Sequence, residues 1–146
     1  MTNPLTIYKK DISLKGDIEI APDKSISHRS LIFAALGYGE SKITGLLEGH
    51  DVLRTARALE LMGIEIERGF DEEINKPVWT VQGRGVFGLT QAKDVLDMGN
   101  SGTAARLLAG LVSSRNMVST FTGDESLRGR PMKRIINAPF WFTFLG

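Results

Sequence analysis

Pro22-Asp23-Lys24-Ser25-Ile26-Ser27-His28-Arg29-Ser30 opens the stretch that decides the fold, and Leu31 to Leu36 completes it. Apolar Ile26, Leu31, Ile32, Ala35 and Leu36 recur at helical spacing, so a helix is predicted from Ser25 to Leu36. Asp23 or Ser25 can supply its N-cap, because a short oxygen-bearing side chain accepts from the unpaired N–H groups of a first turn. Gly37 and Gly39 stop it. Upstream, Ile12-Ser13-Leu14 and Ile18-Glu19-Ile20 alternate about Gly16-Asp17 as a short hairpin or two edge strands, ended by Ala21-Pro22-Asp23. Downstream, Ser41 to Leu47 is strand-like. Asp51 to Met62 reads as a second helix with Val52, Ala56, Leu59 and Met62 on one face and Gly63 as its C-cap. Ile64-Glu65-Ile66-Glu67 and Val78-Trp79-Thr80-Val81 alternate as two strands joined by the acidic loop Asp71-Glu72-Glu73.

The order helix, strand, helix, strand, strand then begins again. His28-Arg29-Ser30-Leu31 and Ala105-Arg106-Leu107-Leu108 each place an arginine one turn into a helix, and Leu61-Met62-Gly63 is echoed by Phe144-Leu145-Gly146. Between them, Ile43-Thr44-Gly45 and Phe121-Thr122-Gly123 follow the two arginines by 14 and 15 residues. The sequence therefore holds one whole unit and a truncated second, whose missing strand pair would leave a sheet edge and an apolar face open.

Composition narrows the chemistry. With 146 residues and 42% hydrophobic content the chain can bury one ordinary core. Residues 1–100 carry 12 basic and 15 acidic groups and residues 101–146 carry 6 and 2, so any bias toward anions lies in the C-terminal third. The net charge of +1 gives no nucleic-acid footprint. Having no cysteine excludes disulfides, thiolate metal sites and a cysteine nucleophile, and two isolated histidines argue against zinc. No apolar run is long enough to span a bilayer and Met1 to Asp11 lacks a signal-peptide core, which predicts a cytosolic protein with no membrane partner.

Gly83-Arg84-Gly85-Val86-Phe87-Gly88 matches a dinucleotide fingerprint, but no helix pattern starts at Gly88 and Thr103 stands where an acid is required. It reads as a glycine-rich turn. Three other loops carry chemistry. Lys24 and Ser25 lie at a helix N-terminus, where N–H groups and the dipole favour anions, and Arg29 follows one turn later; the alternative is an N-cap followed by solvated charges. Asp97-Met98-Gly99-Asn100-Ser101-Gly102-Thr103-Ala104-Ala105-Arg106 repeats the pattern, with Ser101 or Thr103 as cap. Its alternative is a cap with Arg106 paired to Asp97, and a structural role for Arg106 is the expectation. Gly123-Asp124-Glu125-Ser126-Leu127-Arg128-Gly129-Arg130-Pro131-Met132 is a third basic strand-to-helix loop, in which Arg130 precedes a proline and its guanidinium can grip a carboxylate through two parallel bonds.

P-D-K-S-x-S-H-R at 22–29, L-x-x-G-N-S-G-T-A-x-R at 96–106 and T-G-D-x-S-L-x-x-R-P-M at 122–132 resemble the N-terminal third of the 5-enolpyruvylshikimate-3-phosphate synthase family. The resemblance covers Ile12 to about Ile136. It implies an α/β fold of repeated β-α-β-α-β-β units, the inside-out α/β barrel of the enolpyruvyl transferases, with about one and a half units present. Residues 1–20 would be strands of the other domain, 21–83 the first unit and 84–146 the second, truncated and with an atypical tail. It implies transfer of the enolpyruvyl group of phosphoenolpyruvate to shikimate 3-phosphate in aromatic amino-acid biosynthesis, with no cofactor and no metal. Carried over by position, Lys24, Ser25 and Arg29 would bind shikimate 3-phosphate; Lys24, Gly102 and Arg130 would bind phosphoenolpyruvate; Asn100 and Thr103 would shape that loop.

The family's acid–base carboxylates and its remaining arginines come from later sequence than this chain holds, so no complete catalytic set is expected here. The tail Asn137 to Gly146, with aromatic Phe140, Trp141, Phe142 and Phe144, departs from the family and marks a damaged end or an interface. Two readings follow: an N-terminal portion of the enzyme, inactive until a complementing C-terminal chain joins it, or a non-catalytic anion-binding or assembly module of the same fold that self-associates.

Overall fold

The computed structural model describes residues 15–18 and 20–136. Asp23, in extended backbone, accepts from the Ile26 N–H at 2.7 Å and so caps α1 (Lys24–Leu36). The Gly37 N–H closes the other end on Phe33 O at 2.9 Å. The buried face of α1 is Ser27, His28, Leu31, Ile32, Ala34 and Ala35. Ile26, expected inside, lies outside with Phe33, because the face is set by His28 and the Leu31/Ala35 pair one turn apart.

β1 (Tyr38–Thr44) starts three residues earlier than predicted and ends where Gly45 turns to φ 67°. It is held there by pairing with β3 (Lys76–Arg84), in register from Tyr38 opposite Arg84 to Thr44 opposite Val78. β2 (Glu65–Asp71) pairs with the other edge of β3, giving an antiparallel sheet in the order β1-β3-β2. Trp79 and Val81 alternate inward from β3 onto the helical layer. Between β1 and β2 runs α2 (His50–Leu61). Its C-terminus is a Schellman turn: Gly63, at φ 92°, donates to Glu60 O at 2.9 Å and Ile64 to Leu59 O at 3.1 Å. The loop before α2 is clasped to the sheet by Glu48, which accepts from Arg68 at 2.8 and 2.9 Å and from the Trp79 indole at 2.9 Å.

A second set of elements follows. β4 (Leu96–Asp97), α3 (Gly102–Ser113) and β5 (Phe121–Thr122) form a β-α-β unit whose strands pair in parallel, followed by the short helices α4 (Glu125–Arg128) and α5 (Lys133–Ile136). Fully buried Leu31, Leu59, Met62, Leu96, Met98 and Leu108 come from both repeats and form one continuous core. The glycine-rich turn is structural: Gly85 N–H donates to Gly37 O at 2.7 Å, and a Cβ on Gly83 would stand 2.5 Å from the same oxygen.

The predicted hairpin falls partly on Ile12 to Leu14 and Glu19, outside the described residues. Ile18 and Ile20 are exposed and in no strand, and among the described residues no strand lies beside them. The tail with Phe140, Trp141, Phe142 and Phe144 also lies outside the described residues.

Candidate functional site

Capping by Asp23 leaves Lys24, Ser25 and Arg29 exposed at the first turns of α1. The Lys24 ammonium is held 2.7 Å from Asp51 Oδ2, at the start of α2. Ser25 and Arg29 side chains have no hydrogen-bond or ion-pair partner among the described residues. One turn deeper, His28 Nδ1 meets Thr55 Oγ1 at 2.7 Å, with both residues fully buried. The two contacts are rungs of one ladder, since Lys24 to His28 and Asp51 to Thr55 are each an i,i+4 step. Burial pushes the His28 imidazole below its ordinary value, against the Asp51 carboxylate, which draws it up, and with the help of the Lys24 charge. It is a neutral ring that fixes how α1 sits on α2.

From α2 the polar contacts pass to the second unit. Arg54 Nη1 bonds Asp97 Oδ2 at 2.6 Å, and Asp97 Oδ1 accepts from the Gly99 N–H at 2.9 Å, shaping the turn before α3. Asp97 is thus paired with Arg54, not with Arg106 as the sequence suggested. A helical side chain leans toward its own N-terminus, so Arg106 folds back over the turn that precedes it. Its Nη1 donates to Gly102 O at 3.0 Å and its Nη2 to Pro131 O at 3.4 Å, a structural role as expected.

Ser101 caps α3, accepting from the Ala104 N–H at 3.1 Å. Buried Gly102 sits beneath two guanidinium groups: a Cβ there would lie 2.5 Å from Arg106 Nη1 and 3.0 Å from Arg130 Nη1. Arg130 donates to Asn100 Oδ1 and, at 3.3 Å, to Ser126 Oγ. Asn100 Nδ2 donates to Asp124 Oδ2 at 2.6 Å, and Asp124 Oδ1 caps α4 by accepting from the Leu127 N–H at 2.7 Å. The Leu127 N–H, the Asn100 amide and the Arg130 charge hold the Asp124 carboxyl below the usual range. Thr103 is exposed on the first turn of α3.

Polar contacts therefore tie Lys24 to Asp51 at the start of α2 and, separately, run from Arg54 on the same helix through Asp97 and Gly99 to Asp124, Asn100 and Arg130. Among the described residues neither Arg106 nor Arg130 has a carboxylate in ion-pair contact, so two positive charges converge on a helix N-terminus that itself favours anions. Asp51, Arg54 and Asp124 were not singled out in the sequence. Asp124 had a local signal, a cap three residues before Leu127, but Asp51 and Arg54 gain their roles only from partners 27 and 43 residues away. A cleft of about 160 Å³ between α2 and β4, lined by Arg54, Arg57, Asp94 and Asp97, contains none of Lys24, Arg29, Gly102 and Arg130. Among the described residues no three His, Cys, Asp or Glu are grouped to hold a metal ion, and no helix is long and apolar enough to cross a membrane.

Mixed helices and strands, with the basic helix-opening loops braced by polar contacts, define an α/β protein. The profile of EPSP synthase (3-phosphoshikimate 1-carboxyvinyltransferase) matches residues 8–139, and the chain belongs to that family. It is 55% identical over 130 residues to the 3-phosphoshikimate 1-carboxyvinyltransferase of Sphingopyxis alaskensis, covering 89% of this chain and 28% of that protein. The Gluconobacter oxydans enzyme of the same name is 54% identical over 136 residues, covering 92% of this chain and 29% of the relative. The solved EPSP synthase of Acinetobacter baumannii superposes with a TM-score of 0.71 at 45% identity, over 82% of this chain and 26% of that one. The inside-out α/β fold is thereby established, and the chain spans less than a third of the length of these relatives.

Proposed function

We propose that this chain supplies the N-terminal part of an enolpyruvyl transferase site, which moves the enolpyruvyl group of phosphoenolpyruvate to shikimate 3-phosphate. The observation that carries the reading is the pair Arg106 and Arg130 over Gly102, which among the described residues have no carboxylate in ion-pair contact, on a loop braced by the Arg54–Asp97 and Asn100–Asp124 bonds. Both substrates are polyanions. Lys24, Ser25 and Arg29 take shikimate 3-phosphate; Lys24, Gly102 and Arg130 take phosphoenolpyruvate; Asn100 and Thr103 shape the loop beneath it.

Addition of the acceptor hydroxyl to C2 of the enol phosphate as C3 gains a proton, followed by loss of phosphate and of a C3 proton to leave the enol ether, needs charge stabilisation and proton transfer. The loops named here supply the first. Proton transfer falls to groups from the remainder of the relatives' length, so the 146-residue chain by itself binds without turning over, and a complementing C-terminal chain is its partner. Family membership supports this reading, under which the protein serves aromatic amino-acid biosynthesis in the cytoplasm.

Calorimetric titration with shikimate 3-phosphate tests it. Binding is expected to be weak and to fall as salt rises, because exposed charges are screened. Lys24→Ala and Arg29→Ala should each weaken it about tenfold, the worth of a hydrogen bond to a charged group. Plain shikimate should bind less well. Equal affinity in the wild type and both variants would refute the assignment.

A further inference from the structure

Chemistry fixes the direction of every hydrogen bond around Asn100. An ionised carboxylate only accepts and a guanidinium only donates. Asn100 stands between one of each: its Nδ2 donates to Asp124 Oδ2 at 2.6 Å, and its Oδ1 accepts from Arg130 Nη2. Turning the amide over would set its NH2 against the guanidinium and its oxygen against the carboxylate, losing both bonds. Asp124 is itself pinned to both loops. Its Oδ1 accepts from the Leu127 N–H at 2.7 Å, and its own N–H donates to Gly99 O at 2.9 Å. Gly123 permits this approach, since a Cβ there would lie 2.5 Å from the same Gly99 oxygen.

We propose that Asp124 is a positioning residue, acting through Asn100 to hold the Arg130 guanidinium over Gly102 in the orientation that receives the anionic groups of phosphoenolpyruvate. The proposal rests on the reading of the 97–103 loop as the phosphoenolpyruvate site. Arg130 needs such a guide because its other side-chain bond, to Ser126 at 3.3 Å, is long, and among the described residues no carboxylate in contact fixes it. A carboxylate placed directly on Arg130 would order it equally well but would neutralise the charge the ligand requires. Interposing an amide orders the guanidinium and leaves its charge available.

Asp124 also caps α4, so the test must separate the two roles. Asparagine caps as well as aspartate does. Asp124→Asn therefore keeps an acceptor for the Leu127 N–H while turning an NH2 toward the Asn100 NH2. Asp124→Ser also caps, but is too short to reach Asn100. The full chain and both variants are titrated with phosphoenolpyruvate, with the Asn100 side-chain amide and the Arg130 Nε–H followed by NMR and the melting midpoint measured in parallel. The expected result is a midpoint held within about 2 °C, displaced Asn100 and Arg130 signals, and phosphoenolpyruvate affinity lowered about tenfold. Unmoved Asn100 and Arg130 signals would overturn the proposal, as would an affinity loss seen only where the midpoint falls with it. Absence of phosphoenolpyruvate binding in the wild type would instead overturn the site reading, and the NMR signals would still decide whether Asp124 orients Asn100.

Discussion

A methyl group at residue 102 has no space except where a guanidinium now lies. The Cβ of Gly102→Ala would stand 2.5 Å from Arg106 Nη1, the far end of a flexible side chain, so Arg106 moves and the backbone stays. The displaced Arg106 gives up Gly102 O, and Arg130, 3.0 Å from the same Cβ, is pressed from below. The variant should melt within a few degrees of the wild type yet bind phosphoenolpyruvate several-fold more weakly, which parallel melting and titration would check. His28 makes a prediction of the opposite kind, on stability. Its imidazole is held neutral by burial, so the unfolded chain takes up the proton first as pH falls. The stabilisation is complete above the unfolded value of about 6.5 and declines as pH drops toward the lower folded value. The charged groups facing it, Asp51 and Lys24, pull in opposite directions and leave burial dominant. Urea melts at pH 7.5 and 5.5 should show the wild type less stable at the lower pH, and His28→Asn should narrow that difference. Lys24, Arg29, Gly102 and Arg130 stood out in the sequence because helix-opening loops have local signatures. Asp51 did not, because nothing near it in the chain announces Lys24 as its partner.

Elements were legible where caps and periodicity agreed. α1 and α2 begin and end within a residue of expectation, since Asp23 and Gly63 leave little choice of terminus. β1 was displaced by three residues because a strand's limits depend on its partner's register, here Tyr38 opposite Arg84, and no local pattern encodes that. The same closeness of β1, β3 and the end of α1 makes Gly83 a sensitive point. A Cβ there would meet Gly37 O at 2.5 Å and also Ala34 O, and both are backbone atoms that cannot swing aside. Gly83→Ala should therefore cost about 1–3 kcal/mol in urea unfolding, the range for an overpacked site. Gly110→Ala, on α3 with nothing within 4 Å of its Cβ, should cost nothing and serves as the control.

At the scale of the whole molecule, the two halves share one core and Arg54 of α2 bonds Asp97 at the end of β4, so fold and candidate site are assembled by the same packing of α2 against α3 and β4. The sequence did not disclose that Arg54 and Asp97 would bond, because the two stand 43 residues apart. The central claim is that this chain provides one part of an enolpyruvyl transferase site and needs another chain for the rest. Phosphate release from phosphoenolpyruvate in the presence of shikimate 3-phosphate measures it directly. The assay compares this chain, a chain carrying the part of the Sphingopyxis alaskensis relative beyond the matched region, and the two mixed. No turnover is expected from either alone and measurable turnover from the mixture; turnover by the 146-residue chain alone, or none from a mixture in which the two chains bind each other, would contradict the account.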